Sequence, residues 1–277
     1  MSEILSDKEL AAKTLSEFAS SGDKKTSAFP TETFDLPSKG HFYSVDNPLS
    51  DGRIELKIPT AKEEDILTSK NLIQKGVVID RFLQSIVVSD IDYNDLLIGD
   101  KDAIMYAGRM LAYGSEYSVT VKCPNCQETN KSVKIDISAL ESKDVDFDKY
   151  PKGQNEFELM LPVTKKLIRF KLLTHADEKL ISEELKALKK KKIIDAAEVT
   201  TRLKHAIVEI DGKRDVGTIR LFVDSMPSRD SFELRTTIAK ISPDINSEFN
   251  FECEYCEHED VMSVPMELEF FWPSGRL

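Results

Sequence analysis

The tightest constraint on this chain is the placement of its four cysteines. Cys123 and Cys126 lie in "YSVTVKCPNCQETNKSVKID" (residues 117–136), and Cys253 and Cys256 lie in "EFNFECEYCEHEDVMSVPMEL" (residues 248–268). A Cys-x-x-Cys turn aims two thiolates at one point, and two such turns build a tetrahedral set of four sulfurs suited to Zn2+ at about 2.3 Å. Strand-like runs flank both pairs, "VTVK" and "SVKIDI" around the first, "FNFE" and "VMSVPMEL" around the second. Each pair is therefore expected at the tip of a β-hairpin, as in a zinc ribbon. A redox Cys-x-x-Cys would open a helix after a strand. Here "QETNKSV" and "EHEDVMS" read as polar turns into strands, which disfavours redox or disulfide chemistry. His258 follows Cys256 closely and is a spare donor, but four thiolates already complete the shell, so it is expected at the surface. A shell closed in this way leaves no position for water or substrate, so the expected cofactor is one structural Zn2+.

The long gap between the pairs suggests two related halves. "IELKIPTAKEEDIL" from Ile54 aligns without gaps with "IRFKLLTHADEKLI" from Ile168. "VIDRFLQSIVV" from Val78 aligns with "VTTRLKHAIVE" from Val199, and "DAIMYAGRMLAYG" from Asp102 aligns loosely with "DSFELRTTIAKIS" from Asp230. Each unit then closes on its cysteine pair. The order expected in each half is strand, helix, helix, helix, hairpin. Thr60 with Glu63 reads as a capping box, and Thr174 with Asp177 as its equivalent. Gly76 is placed to break the first helical run of the first half, and Gly114 and Pro243 to stop the third helix of each half.

The hydrophobic fraction of 40% and charged fraction of 31% are ordinary for a globular chain. No run approaches the roughly 18 apolar residues of a membrane helix. The opening "MSEILSDKEL" has no basic-then-apolar leader pattern, so a reducing cytosol is the expected compartment. The net charge of −11 argues against coating nucleic acid, which needs a basic surface. The cationic run "LKALKKKK" (185–192) reads as a solvated helix end complementing the helix dipole. Only Lys122, Lys131 and Lys134 stand near the first knuckle. Glu248, Glu252, Glu254, Glu257, Glu259 and Asp260 surround the second.

No phosphate loop, HExxH, GxSxG or dinucleotide loop is present, and His41, His175, His205 and His258 fall in unrelated contexts. No catalytic residue and no small-molecule substrate are expected. At the ends of the chain, Ser6 with Glu9 opens an amphipathic run followed by the linker "SSGDKKTSAFPTET". "FDLPSKGHFYS" (34–44) reads as a hairpin edge feeding the core. "ELEFFWPSGRL" (267–277) carries Phe270, Phe271 and Trp272, which either close the core or anchor a partner.

Three of these stretches, "LPSKGHFY", "YGSEYSVTVKCPNC" and "FFWP", together resemble the baseplate hub proteins of T-even-type contractile-tailed bacteriophages, over about residues 34–273. The resemblance implies a non-enzymatic structural or assembly role in the baseplate hub. It implies other hub and tail proteins as partners, made in the host cytoplasm and built into the virion tail. The alternative is a zinc-ribbon module of a transcription or replication complex, which the acidic surround of the second knuckle disfavours.

The expected architecture is α+β, with two similar halves of helices and short β-hairpins joined by a zinc-ribbon-like site of four cysteines. Residues 1–33 form an N-terminal helix and linker arm, 34–150 the first half, and 151–277 the second half with its aromatic tail.

Overall fold

The local pattern of each segment sets its structure. "EYSVTVK" alternates polar and apolar residues, and Tyr117, Val119 and Val121 all turn inward. "VIDRFLQSI" instead repeats its apolar residues at helical spacing and buries Val78, Phe82, Leu83 and Ile86. The computed structural model describes residues 30–190, 197–266 and 268–271. The N-terminal run with Ser6 and Glu9, most of the linker after it, and Trp272 lie outside the described residues.

The first strands, β1 (Thr31–Asp35) and β2 (Arg53–Lys57), pair antiparallel. Strand β1 starts at Thr31, inside the stretch expected to be linker. Four helices follow: α1 (Ala61–Leu67), α2 (Lys70–Lys75), α3 (Val78–Ile86) and α4 (Ile98–Tyr113). The hairpin β3 (Glu116–Lys122) and β4 (Thr129–Asp136) comes next. Then β5 (Phe157–Met160) and β6 (Leu167–Phe170) lead into α5 (His175–Lys190) and α6 (Glu198–Ala206). Strand β7 (Ile207–Ile210) returns to pair with β6. Helices α7 (Val216–Asp224) and α8 (Ser228–Ile241) precede the last hairpin, β8 (Glu248–Glu252) and β9 (Glu259–Ser263). The result is α+β, with eight helices and small antiparallel sheets among the described residues.

The helix boundaries follow the capping chemistry. Glu63 accepts from the Thr60 N–H at 2.9 Å and from Lys57 Nζ at 2.8 Å. Asp177 accepts from the Thr174 N–H at 3.0 Å and from Lys171 Nζ at 2.8 Å. Gly76 caps α2 in the left-handed region at φ 68°, Gly114 follows α4, and Pro243 stands just past α8. Two expectations change. The run "EEDILTSKNLI" is not one helix but breaks at Thr68 and Ser69, because Ser69 adopts extended backbone as the cap of α2. The helix expected across "HAIVE" stops at Ala206, and the β-branched pair Ile207 and Val208 joins the sheet instead.

The described part of Thr31–Leu277 belongs to one compact unit with a shared core, not to two separate bodies. Backbone bonds cross between the stretches 34–150 and 151–277 at three places. Ile98 and His175 donate to Leu173 and Leu96, Lys143 and Asn246 donate to Asp244 and Glu141, and the Gly153 N–H donates to His41 O at 2.8 Å. At the second seam Gly99 lies so close to Pro243 that a Cβ would stand 1.8 Å from the carbonyl oxygen. No rotamer relieves a clash with backbone. Gly99→Ala is expected to destabilise the fold by about 3 kcal/mol, read as a lowered denaturation midpoint at unchanged slope.

Asp102 and Asp244 face the same seam. Burial, and then the charge of Asp244, push the Asp102 carboxyl up to about 6. An unfolded aspartate titrates near 3.9, so between about pH 4 and 6 the folded state binds more protons than the unfolded one. Stability therefore falls as pH rises through that window. Asp102→Asn is expected to flatten the slope and to raise stability at pH 7 by about 2 kcal/mol. Thermal melts across pH 4–7 check this.

Candidate metal centre

Both cysteine pairs sit where a hairpin turns. In the first, the Cys123 N–H donates to Glu128 O at 2.9 Å and the Gln127 N–H to Cys123 O at 3.1 Å. In the second, the Cys253 N–H donates to His258 O at 2.9 Å and the Glu257 N–H to Cys253 O at 3.0 Å. Gln127 and Glu257 occupy the same left-handed conformation, at φ 63° and 54°. The two turns are the same knuckle made twice.

The knuckles face each other. All four Sγ atoms lie within 4.8 Å of one another. Cys123 Sγ is 3.8 Å from Cys256 Sγ, and Cys126 Sγ is 3.6 Å from Cys253 Sγ. Four sulfurs arranged tetrahedrally about an ion at about 2.3 Å would stand about 3.8 Å apart. The cysteines are free thiols, with Cys123 and Cys253 buried and Cys126 and Cys256 half-buried. The donor set thus fits a soft, tetrahedral, closed ion site, as the spacing suggested. The His258 ring is not in the group.

The thiols are not equivalent. Burial opposes ionisation of Cys253, but the Asn130 amide and the N–H groups of Tyr255 and Cys256 outweigh it and bring the thiol down to about 6. At Cys126 the Glu128 N–H pulls down, yet burial and the other three thiols push it up to about 12. Two amides complete the surroundings. Asn130 Nδ2 donates to Cys253 Sγ at 3.4 Å and Asn125 Nδ2 to Cys256 Sγ at 3.6 Å. Sequence reading passed over both residues. Alternation gives no signal for Asn130, which is out of phase with Val133 and Ile135 and turns inward only through the register shift between Asn130 and Val133.

The remaining singled-out residues have structural surroundings. His41 bonds the Tyr150 carbonyl at 2.9 Å, and His205 meets Glu184 at 3.2 Å. His175 lies buried against Lys101 at 3.3 Å, and burial and that lysine hold it below the usual histidine range. Lys189 and Lys190 close the last described turn of α5. Phe270 and Phe271 were expected either to close the core or to anchor a partner. Both rings are buried at 0% and 1% exposure, which leaves them no face for a partner.

The three stretches that carry the family resemblance all meet on α4. In "LPSKGHFY", the Ser38 N–H and the Tyr43 hydroxyl donate to Asp100 in the first turn, at 2.9 and 2.6 Å. Gly40 adopts φ +72°, and a Cβ there would stand 2.2 Å from Ser50 O. At the other end of α4, Arg109 donates to the carbonyls of Gly114 and Glu116 at 2.9 and 3.1 Å, inside "YGSEY". Phe270 stacks edge-on against Tyr106 and Tyr117, and Phe271 against Phe82.

Among the described residues, then, one helix is held at both ends and packed by Phe270, and four thiols from two matching knuckles meet at one point. The chain matches the family described as T4 bacteriophage base plate protein over residues 30–272, and it belongs to that family. No curated protein and no solved structure matches the chain.

Proposed function

We propose that this chain is a non-enzymatic component of the baseplate hub of a contractile phage tail, stapled by one structural Zn2+ on Cys123, Cys126, Cys253 and Cys256. The observation that carries the staple is the convergence of four sulfurs, two from each half, within 4.8 Å. The ion supplies a cross-link, and its closed shell gives it no substrate position. The partners are other hub and tail proteins, met in the host cytoplasm during assembly and retained in the tail. Neither a nucleic acid nor a membrane belongs in this reading. The net charge is −11, and no helix among the described residues is long and apolar enough to cross a membrane.

The reading includes an internal duplication, with halves at 34–150 and 151–277. Three correspondences support it. The strand, capped helix and lysine–carboxylate pair of Lys57, Thr60 and Glu63 have their counterparts in Lys171, Thr174 and Asp177. In each half the chain after a helix returns to the preceding strand, at Val87 against Leu56 and at β7 against β6. The last helix of each half carries a buried aspartate at its third position. Asp100 accepts from Ser38 in the β1–β2 loop, and Asp230 accepts from Val163 and Thr164 in the β5–β6 turn. This partner of Asp230 lies two residues earlier than the sequence alignment at Asp102.

The test is a phage carrying an affinity tag on this chain. Co-purification of the tag with finished baseplates supports the reading. Recovery of the tag only from host lysate, with baseplates lacking it, overturns retention in the tail. Native mass spectrometry of the purified chain checks for one zinc.

A further inference from the structure

The two knuckles match in backbone but not in what surrounds their sulfurs. Asn130, on β4 of the first hairpin, has no exposed surface. Its Oδ1 accepts the Glu254 N–H at 2.8 Å, which fixes the amide plane. Its Nδ2 then has to face Cys253 Sγ, 3.4 Å away. Asn125 reaches Cys256 Sγ from the same hairpin. Both side-chain donors therefore come from the first half and end on sulfurs of the second. Among the described residues no side chain of the second hairpin other than its cysteines faces Cys123 or Cys126 as a donor. The residues at the matching places in the second hairpin are Tyr255, exposed at 62%, and Asp260, whose carboxylate turns back to the Val261 N–H at 2.8 Å.

The charge balance makes such donors matter. Four thiolates around a divalent ion carry a net charge of about −2, which hydrogen-bond donors must help to spread. Lysine and arginine are absent from Ile241 to Gly275, and Glu252, Glu254, Glu257, Glu259 and Asp260 all stand exposed around the second knuckle. Amide donors are the uncharged way to offset that negative field at a buried sulfur.

We propose that Asn130 is a positioning residue of the metal centre. From the first half it holds the second knuckle in its ion-binding shape, so the second hairpin closes on a template supplied by the first. The inference rests on the reading of the four cysteines as a zinc site. It adds that the site is built in one direction.

The test uses the full chain with zinc bound and a chromogenic chelator in competition. Asn130→Asp keeps the acceptor for the Glu254 N–H but replaces the donor facing the sulfur with a carboxylate, and Asn130→Ala removes both. Each is expected to weaken zinc retention by about 10- to 100-fold, with Asp the worse. Asp260→Asn, on the matching strand position, is expected to leave it unchanged. Iodoacetamide mapping supplies a readout that a general loss of stability would not move. In the zinc-bound Asn130 variants labelling of Cys253 and Cys256 relative to Cys123 and Cys126 should rise above the wild-type ratio. Zinc release at the wild-type rate in both Asn130 variants, or labelling of the four cysteines at the wild-type ratio, overturns the inference while leaving the staple standing. A wild-type chain that binds no zinc overturns the staple and the inference with it.

Discussion

Cys253→Ser is expected to destabilise both halves of the molecule together. Residue 253 lies on the second hairpin, but its sulfur stands 3.6 Å from Cys126 on the first. Metal binding by clusters of this kind contributes on the order of 10 kcal/mol of folding free energy at neutral pH. A domain is stable by only about 5–15 kcal/mol, so removing one ligand takes away much of the margin. Stripping the ion with a chelator should have the same effect on the wild type and little further effect on the variant. Hydrogen exchange resolved by segment is the measurement. Protection should fall in β3–β4 and α4 as well as in β8–β9. Loss confined to the second half would show that the two knuckles do not share one ion.

The second large effect is expected from Asp100→Ala. Asp100 is fully buried, and it accepts from the Ser38 N–H at 2.9 Å and from the Tyr43 hydroxyl at 2.6 Å. Burial raises its titration above the usual carboxylate range, and the bonds to Ser38 and Tyr43 only partly offset that. Removing the side chain leaves two buried donors unpaired at about 1–3 kcal/mol each, so a loss of about 4 kcal/mol is expected. Tyr43→Phe removes one of those donors and also the acceptor of the Leu97 N–H at 2.9 Å, and should cost about 2–3 kcal/mol. Equilibrium denaturation of both variants gives the comparison. A loss below about 1 kcal/mol in Asp100→Ala would mean that this carboxyl does not hold the start of α4.

The second prediction concerns the residues that hold α4. The family likeness in "LPSKGHFY", "YGSEY" and "FFWP" thus has a packing explanation in this molecule. The first stretch ties down the start of α4 through Asp100, the second its end through Arg109. In the third, Phe270 and Phe271 cover the helix and its neighbours. These are stretches that a fold needs in order to close.

Features governed by neighbours along the chain were legible from the residues alone. The knuckles depend on a four-residue spacing and its flanking strands. The capped starts of α1 and α5 depend on a carboxylate three residues after a threonine. The ends of α4 and α8 depend on a glycine and a proline close by. Distant contacts decided the rest. The turn of "HAIVE" from helix into β7 depended on an open edge of β6 to receive it. The burial of Phe270 and Phe271 needed Tyr106, Tyr117 and Phe82 to be waiting. Asn130 gains its meaning only when a sulfur 123 residues away comes within 3.4 Å. Short-range chemistry is written in the order of residues, whereas the partner of a buried polar atom is chosen by the packing of the whole chain.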